Sequence, residues 1–389
     1  LSKLILHSEL LNRLVDGRTP SKDEAYNIYR DAEIDPTELY QVSQLLRTNN
    51  KGKIVTYSRK VFFNLVNLCR DTCSYCTYKS EPGQDKVSML SKNDIIVLAE
   101  VAKKQHCTEA LFVTGERPEQ KYQEAKTWLK ENGFSSTAEY LIKASEIALD
   151  NGLFPHTNAG NLTKEEMRQL KETNVSLGVM LENSSERLSG NGMPHQFAPS
   201  KSPKARIKVL QNAGELKIPM TTGLLIGIGE SPQELIDSIY AIKEIHEKYG
   251  NIQEIILQNF QPKIDTPMKS SPSPQERYFK TLVALARIIL PKTNIQIPPN
   301  LSPESYSSFL SAGINDWGGI SPITQDFVNP EFPWPKIQDI DASCSDAGFH
   351  LRARFPVYPE FFHMVNQDLV SKMSEIADSE NLVSGEYAR

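Results

Sequence analysis

The sequence lacks any apolar run of about 18 residues, the length a membrane-spanning helix requires. Its N-terminal LSKLILHSELLNRLVDG alternates charge with Leu in the manner of an amphipathic helix rather than a signal peptide. A long block of one charge is also missing: 43 Lys and Arg stand against 48 Asp and Glu, a net charge of −5, so nothing marks a phosphate-backbone partner. These absences lead to the expectation of a cytoplasmic protein that binds neither nucleic acid nor membrane. The first residue is Leu, which reads as a trimmed start or an unusual start codon. Cysteine is scarce and odd in number, at five, a poor basis for a disulfide framework. Internal repeats and low-complexity segments are missing too. What is present is 389 residues with 39% hydrophobic content, enough for one large α/β barrel with terminal extensions.

The first 50 residues carry helix punctuation. Ser21 with Glu24 makes a capping box, and Asp35-Pro36 sets an N-cap before a proline at the first helical position. Residues 1–55 therefore read as a helical N-terminal extension. Beyond Gly52, eight short β-rich runs alternate with longer amphipathic ones: Val61–Leu68, Ala110–Thr114, Leu153–His156, Ser176–Leu181, Met220–Gly227, Ile252–Asn259, Asn294–Ile297 and Ile314–Gly319. Among the helices between them, one opens on the capping box Ser231 to Glu234, repeats Leu235, Ile239, Ile242 and His246 at helical spacing, and closes at Gly250. Ser91–Gln105, Lys201–Ala213 and Ser273–Leu290 read the same way. Alternating strands and helices give parallel βα units, and eight units give a (β/α)8 TIM-type barrel, full or partial, over residues 56–330. Its chemistry belongs at the C-terminal strand ends. Residues 331–389 begin Pro- and aromatic-rich (NPEFPWP, RFPVYPEFF), with a helix expected from Tyr358 to Ala377 and then a loose tail.

Three of the five cysteines fall within eight residues: Cys69, Cys73 and Cys76, spaced C-x3-C-x2-C directly after an expected strand. Three thiolates on one loop can bind three irons of a 4Fe-4S cube and leave the fourth iron open to a ligand. Zinc is the alternative, but a zinc site usually closes with a fourth Cys or His and favours paired C-x2-C knuckles, of which only one is present. Cys107 and Cys344 stand alone and read as a core thiol and a loop thiol.

The cysteine spacing resembles the signature of the radical S-adenosylmethionine enzymes, in which the amino and carboxylate groups of S-adenosylmethionine chelate the open iron. Tyr75 matches the aromatic those enzymes carry before the last cysteine. Thr114-Gly115-Glu116 stands where they keep a Gly-Gly-Glu-like turn for the methionine amino group, glycine letting backbone carbonyls approach an ammonium. His156 and Asn158 follow the third strand, Glu182 the fourth, and Gln258 and Asn259 end the sixth. Gly223, Leu225 and Gly227, running on to Glu230, are similar to the G-x-I-x-G-x-x-E pattern beside adenine. The resemblance implies that Tyr75, Thr114, Gly115, Glu116, Asn158, Glu182, Gly223, Leu225, Gly227, Gln258 and Asn259 bind S-adenosylmethionine. Each has a plainer reading as well. Glu182 or Glu230 could cap a following helix, Gly223 and Gly227 could permit tight strand packing, and His156 could be a satisfied structural histidine.

Longer strings narrow the resemblance: Asn67 to Asp71, Gly115 to Glu119, His156 to Asn158, Thr221 to Glu230, Ile252 to Phe260, and Ala312 to Gly319. From about Val61 to Phe361 the chain is similar to the 7,8-didemethyl-8-hydroxy-5-deazariboflavin synthase family, the small radical subunit of coenzyme F-420 biosynthesis. That resemblance implies a carbon–nitrogen lyase acting on an adduct of a 4-hydroxybenzyl group with ribitylaminouracil, made by a partner radical enzyme. Electron transfer into the cluster, from a donor such as ferredoxin or flavodoxin, would cleave S-adenosylmethionine to methionine and a 5'-deoxyadenosyl radical. Hydrogen abstraction, ring closure and loss of ammonia would follow. His156, Asn158 and Asp316 are the catalytic candidates. Asp316 and Trp317 are expected to end the eighth strand, where an aromatic beside a carboxylate suits a flat uracil-like ring, unless Trp317 is core. Arg70 is expected to offset cluster charge or Asp71 to cap the next helix, and the aromatics from Tyr358 to Phe362 to form a packing lid. The alternatives are a related radical enzyme (the partner hydroxybenzyl transferase, a menaquinone-pathway or biotin-synthase-like relative) or a non-catalytic metal-binding protein.

Overall fold

Inward- and outward-facing residues are both apolar along most of the β-rich runs, the pattern of strands buried on two faces, and these runs form one parallel sheet. In the computed structural model, which describes residues 6–15 and 17–388, the sheet closes on itself. The helical character expected of residues 1–5 and 16 lies outside the described residues. The strands are β1 (Ile54–Val66), β2 (Glu109–Thr114), β3 (Phe154–Asn158), β4 (Ser176–Gly178), β5 (Met220–Ile226), β6 (Ile252–Asn259), β7 (Asn294–Gln296) and β8 (Asp316–Ile320). Each pairs in parallel with its successor, and β8 closes the barrel on β1 through Ser58↔Gly319. No described helix is long and apolar enough to cross a membrane.

Helices cover the outside, and their starts are chemically marked. Capping boxes at Ser91/Asp94, Thr163/Glu166 and Ser231/Glu234 open Lys92–Lys104, Lys164–Leu170 and Pro232–Tyr249, and Gly250 ends the last of these at φ +68°. The N-terminal stretch forms helices Glu9–Leu14, Lys22–Ile34 and Thr37–Lys51, the second opened by the Ser21/Glu24 box. The third differs from expectation: Pro36 stands at its N-cap rather than at its first helical position, and Asp35, one residue before, accepts from Thr37 N at 3.0 Å. These helices are tied to the barrel: buried Arg47 donates to Ile314 O at 3.1 Å and to Ile54 O at 2.7 Å.

The C-terminal part differs from expectation in three ways. A ninth strand, β9 (His350–Arg354), runs parallel to the first half of β1, from Ile54↔His350 to Ser58↔Arg354, below the point where β2 begins. The expected helix from Tyr358 to Ala377 is instead a 3-10 turn, Pro359–Met364, and a separate helix, Gln367–Ser374. Val365 and Asn366 are extended between them, and Asn366 caps the second piece by accepting from Asp368 N. The tail is not loose: Val383 N donates to Ala353 O at 3.1 Å, Arg352 pairs with Asp378, and Leu382 and Val383 are buried.

Candidate active site

β1 runs directly into the cysteine loop, and backbone contacts fix that loop against the end of β2. Gly115 N donates to Val66 O at 2.7 Å, Arg70 N to Glu116 O at 2.8 Å, and Glu116 N to Cys69 Sγ at 3.2 Å. A Cβ on Gly115 would lie 2.0 Å from Leu68 O, so only glycine allows this approach. Asp71 does not cap a helix. It accepts from Ser200 N at 3.1 Å and from the Ser200 hydroxyl, pinning the loop to the turn Pro199–Lys201. Arg70 donates to Gln120 at 2.5 Å, with its guanidinium 3.8 Å from Glu116.

Cys69, Cys73 and Cys76 line the mouth of a cavity of about 340 Å³ that descends into the barrel. Tyr75, Thr114, Gly115, Glu116, His156, Asn158, Glu182, Leu225, Gln258 and Asn259 line the same cavity. Two carboxylate oxygens there, Glu116 Oε1 and Glu182 Oε2, are buried without a hydrogen-bond partner among the described residues. The Glu182 backbone sits at φ +63°, an unfavourable conformation for a residue with a side chain, and its other oxygen receives Lys201 Nζ at 2.5 Å. Burial works to raise the Glu182 carboxyl, but Lys201 and then Arg206 outweigh it and hold the group below the usual carboxylate range. Burial also pushes the Cys69 thiol up to about 11 and the Cys73 thiol up to about 12.

Deeper in the lumen, burial pushes His156 down to about 4, which keeps the ring neutral. The Ser176 hydroxyl spends its proton on Pro356 O, so Ser176 Oγ accepts from His156 Nδ1 at 2.6 Å. The Nε2 lone pair of His156 is thereby left as an acceptor. Below it an ionic plug closes the barrel: Arg354 donates to Asp316 at 2.6 and 3.0 Å and to Glu254 at 2.9 Å, and Tyr358 donates to Glu254 at 2.8 Å.

Three expected site residues lie elsewhere. Asp316 opens β8 rather than ending it, and its carboxylate belongs to the plug. Gly223 serves strand packing, since a Cβ there would meet Ile256 O at 2.0 Å. Gly227, at φ +101°, lines a neighbouring pocket, where Glu230 accepts from Gly227 N and Ile228 N at 2.7 and 2.8 Å. Glu230 thus locks its own glycine loop, while Ser231 caps the helix. Trp317 is fully buried and donates to Cys344 Sγ at 3.3 Å; Cys344 lies on helix Ile337–Asp346, not in a loop. Sequence reasoning missed Lys201 and His195, the latter 3.0 Å from Tyr75 Oη, and missed Lys60, Glu109, Gln296 and Trp334 lower in the cavity. A charge inside an apolar strand run is the signal that marks Lys60 and Glu109. No comparable signal marks Trp334.

The pattern of the radical SAM superfamily matches residues 63–240. A 7,8-didemethyl-8-hydroxy-5-deazariboflavin synthase from Methanopyrus kandleri is 45% identical over 328 residues, covering 83% of this chain and 98% of that protein. The enzyme of the same name from Methanococcus maripaludis is 44% identical over 344 residues, 88% of this chain and 95% of that one. The chain belongs to the 7,8-didemethyl-8-hydroxy-5-deazariboflavin synthase family. The fold is shared more widely. The FeFe-hydrogenase maturase HydG from Carboxydothermus hydrogenoformans superposes with a TM-score of 0.74 at 20% identity, over 98% of this chain and 86% of that one. Methylornithine synthase (PylB) does so with a TM-score of 0.69 at 14% identity, over 88% and 97%.

As a radical S-adenosylmethionine protein, this member of the deazariboflavin synthase family takes a 4Fe-4S cluster and S-adenosylmethionine. The residues present fit both. Cys69, Cys73 and Cys76 open onto one cavity, and the oxygens of Glu116 and Glu182 that receive no hydrogen bond among the described residues are acceptors suited to an ammonium or to ribose hydroxyls. Among the described residues, no three His, Cys, Asp or Glu side chains converge as a single ion requires. A cube, by contrast, spreads its thiolates over three separate irons.

Proposed function

We propose that this protein is a carbon–nitrogen lyase that closes the deazaflavin ring. It converts the 5-amino-5-(4-hydroxybenzyl)-6-(D-ribitylimino)-5,6-dihydrouracil adduct to 7,8-didemethyl-8-hydroxy-5-deazariboflavin, releasing ammonia, methionine and 5'-deoxyadenosine. The observation that carries this reading is the shared cavity, which Cys69, Cys73 and Cys76 line together with Glu116, Glu182 and His156. When bound, the cluster and S-adenosylmethionine supply a carbon radical that removes a hydrogen atom from the substrate.

The chain's own residues position and shield. Glu116 and Glu182 hold the amino-acid end and the ribose, Tyr75 and Leu225 flank the nucleoside, and Thr114, Gly115, Gln258 and Asn259 complete the cradle. Asn259 also donates to Leu301 O at 2.9 Å and so steadies the loop after β7. His156 offers Nε2 to a proton leaving the substrate, and Asn158 orients the substrate by hydrogen bonds. Asp316 acts only through Arg354, in the plug that keeps water from entering below. The adduct comes from a 4-hydroxybenzyl-transferring partner enzyme and the electron from a ferredoxin- or flavodoxin-type donor, in the cytoplasm. Anaerobic incubation of the reconstituted protein with reductant, S-adenosylmethionine and the adduct tests the proposal. A fluorescent deazaflavin is the expected product; 5'-deoxyadenosine without it would remove the substrate assignment.

A further inference from the structure

The lower lumen contains a group of polar side chains that neither the plug nor the proposed S-adenosylmethionine cradle uses. Lys60 points inward from the middle of β1 and is only 7% exposed. Among the described residues its ammonium has no hydrogen-bond partner and no carboxylate within 4.0 Å. Its stem fits because residue 319 on β8 is glycine: a Cβ there would lie 2.3 Å from Lys60 Cδ. The ammonium sits 4.4 Å from the centre of the Trp334 ring. Trp334 lines the same cavity, and its indole N–H is also buried without a partner among the described residues. Glu109, register partner of Lys60 on β2, and Gln296 on β7 add a carboxylate and an amide facing the same space.

An indole N–H buried without an acceptor is costly, and beside it the Lys60 amine opens onto the cavity with no acceptor of its own among the described residues. A flat ring wall next to two unused donors is matched by a planar ligand that carries carbonyl oxygens on its edge. We infer that Lys60 and Trp334 form the seat for the carbonyl-bearing pyrimidine ring of the substrate, Lys60 donating to a ring carbonyl while Trp334 walls the ring. Glu109 and Gln296 then meet the ring N–H groups or the hydroxyls of the side chain. This seat replaces the Asp316–Trp317 pair in that role, and it rests on the proposed reaction. Cys69, Cys73 and Cys76 line the same cavity, so a ring held there would share one enclosure with the radical.

The test uses reconstituted holoenzyme carrying Lys60→Met or Trp334→Leu. The KM for the adduct and the affinity for added product deazaflavin, followed by its fluorescence, are compared with those for S-adenosylmethionine. Losing a charged hydrogen bond in the cavity should raise the adduct KM and the product Kd by about tenfold or more and leave S-adenosylmethionine affinity within about twofold. Unchanged adduct KM and product affinity in a folded variant of either kind would overturn the seat. If Lys60→Met does not fold, Lys60→Gln and Trp334→Leu decide by the same readouts. A wild-type protein that cleaves S-adenosylmethionine but never converts the adduct would overturn the proposed reaction instead, whatever the variants do.

Discussion

Glu116 joins the cysteine loop to the end of β2 in two ways, through its N–H on Cys69 Sγ and through its carbonyl, which accepts from Arg70 N at 2.8 Å. That arrangement depends on Gly115. In Gly115→Ala the new Cβ would press on the carbonyl of Leu68 and come within 2.8 Å of Cys69 Cα, both backbone atoms that cannot swing aside. The variant should retain less than about half the wild-type iron and lose S-adenosylmethionine cleavage by about tenfold or more, measured by iron analysis and 5'-deoxyadenosine release. Normal iron and normal cleavage would show that the loop tolerates displacement. Trp317 makes a contrasting case. Because it packs outside the lumen against Cys344, Trp317→Phe should lower stability by about 1–3 kcal/mol in urea unfolding and leave the adduct KM unchanged. A raised KM with unaltered stability would return Trp317 to the substrate site. The cysteine ligands are legible in the sequence because all three are contiguous on one loop. Trp334 is not, since only closure of the barrel brings this residue of the C-terminal segment beside Lys60 on β1.

Most strands are visible as apolar runs because both of their faces are buried, and β6 occupies the range expected for it. β9 escapes that pattern, since its sequence HLRAR carries two arginines, one for the plug and one for the tail. The tail escapes for the opposite reason: two apolar residues, Leu382 and Val383, suffice to dock an otherwise polar segment onto β9. Removing residues 378–389 should therefore cost on the order of 3 kcal/mol, read as a lower thermal midpoint. No shift would mean that the tail does not hold β9. The plug also gives the protein a pH signature. Burial, helped by the nearby Asp316 and opposed by Arg354, raises Glu254 from 4.5 to about 7. The folded state thus keeps a proton that the unfolded chain releases near 4.5, and the stability contributed by this group falls as pH rises between those values. Two buried histidines, His156 and His195, lowered to about 4, act in the opposite sense, so the contrast must be read by difference. The thermal midpoint of Glu254→Gln minus that of wild type should increase from pH 4.5 to pH 7. A flat difference would mean that Arg354 keeps Glu254 ionised throughout.

Across the whole molecule, the barrel divides by height. The top carries the three cysteines with the carboxylates of Glu116 and Glu182, the middle carries Lys60 and Trp334, and the bottom is sealed by paired charges. Barrel order and the position of the mouth are readable from the spacing of motifs along the chain. The floor is not, because its seal joins residues far apart in the chain: Asp316 reads singly as a strand-end catalytic candidate, and Arg354 lies in a segment with no strand pattern. All of the proposed chemistry starts from a cube held by Cys69, Cys73 and Cys76 with one iron open to S-adenosylmethionine. Electron paramagnetic resonance of the anaerobically reconstituted, one-electron-reduced protein, recorded with and without S-adenosylmethionine, tests that directly. The account predicts a 4Fe-4S spectrum of about one cluster per chain whose g values move when S-adenosylmethionine is added. A spectrum indifferent to S-adenosylmethionine, or a chain that takes up zinc and no iron, would contradict it.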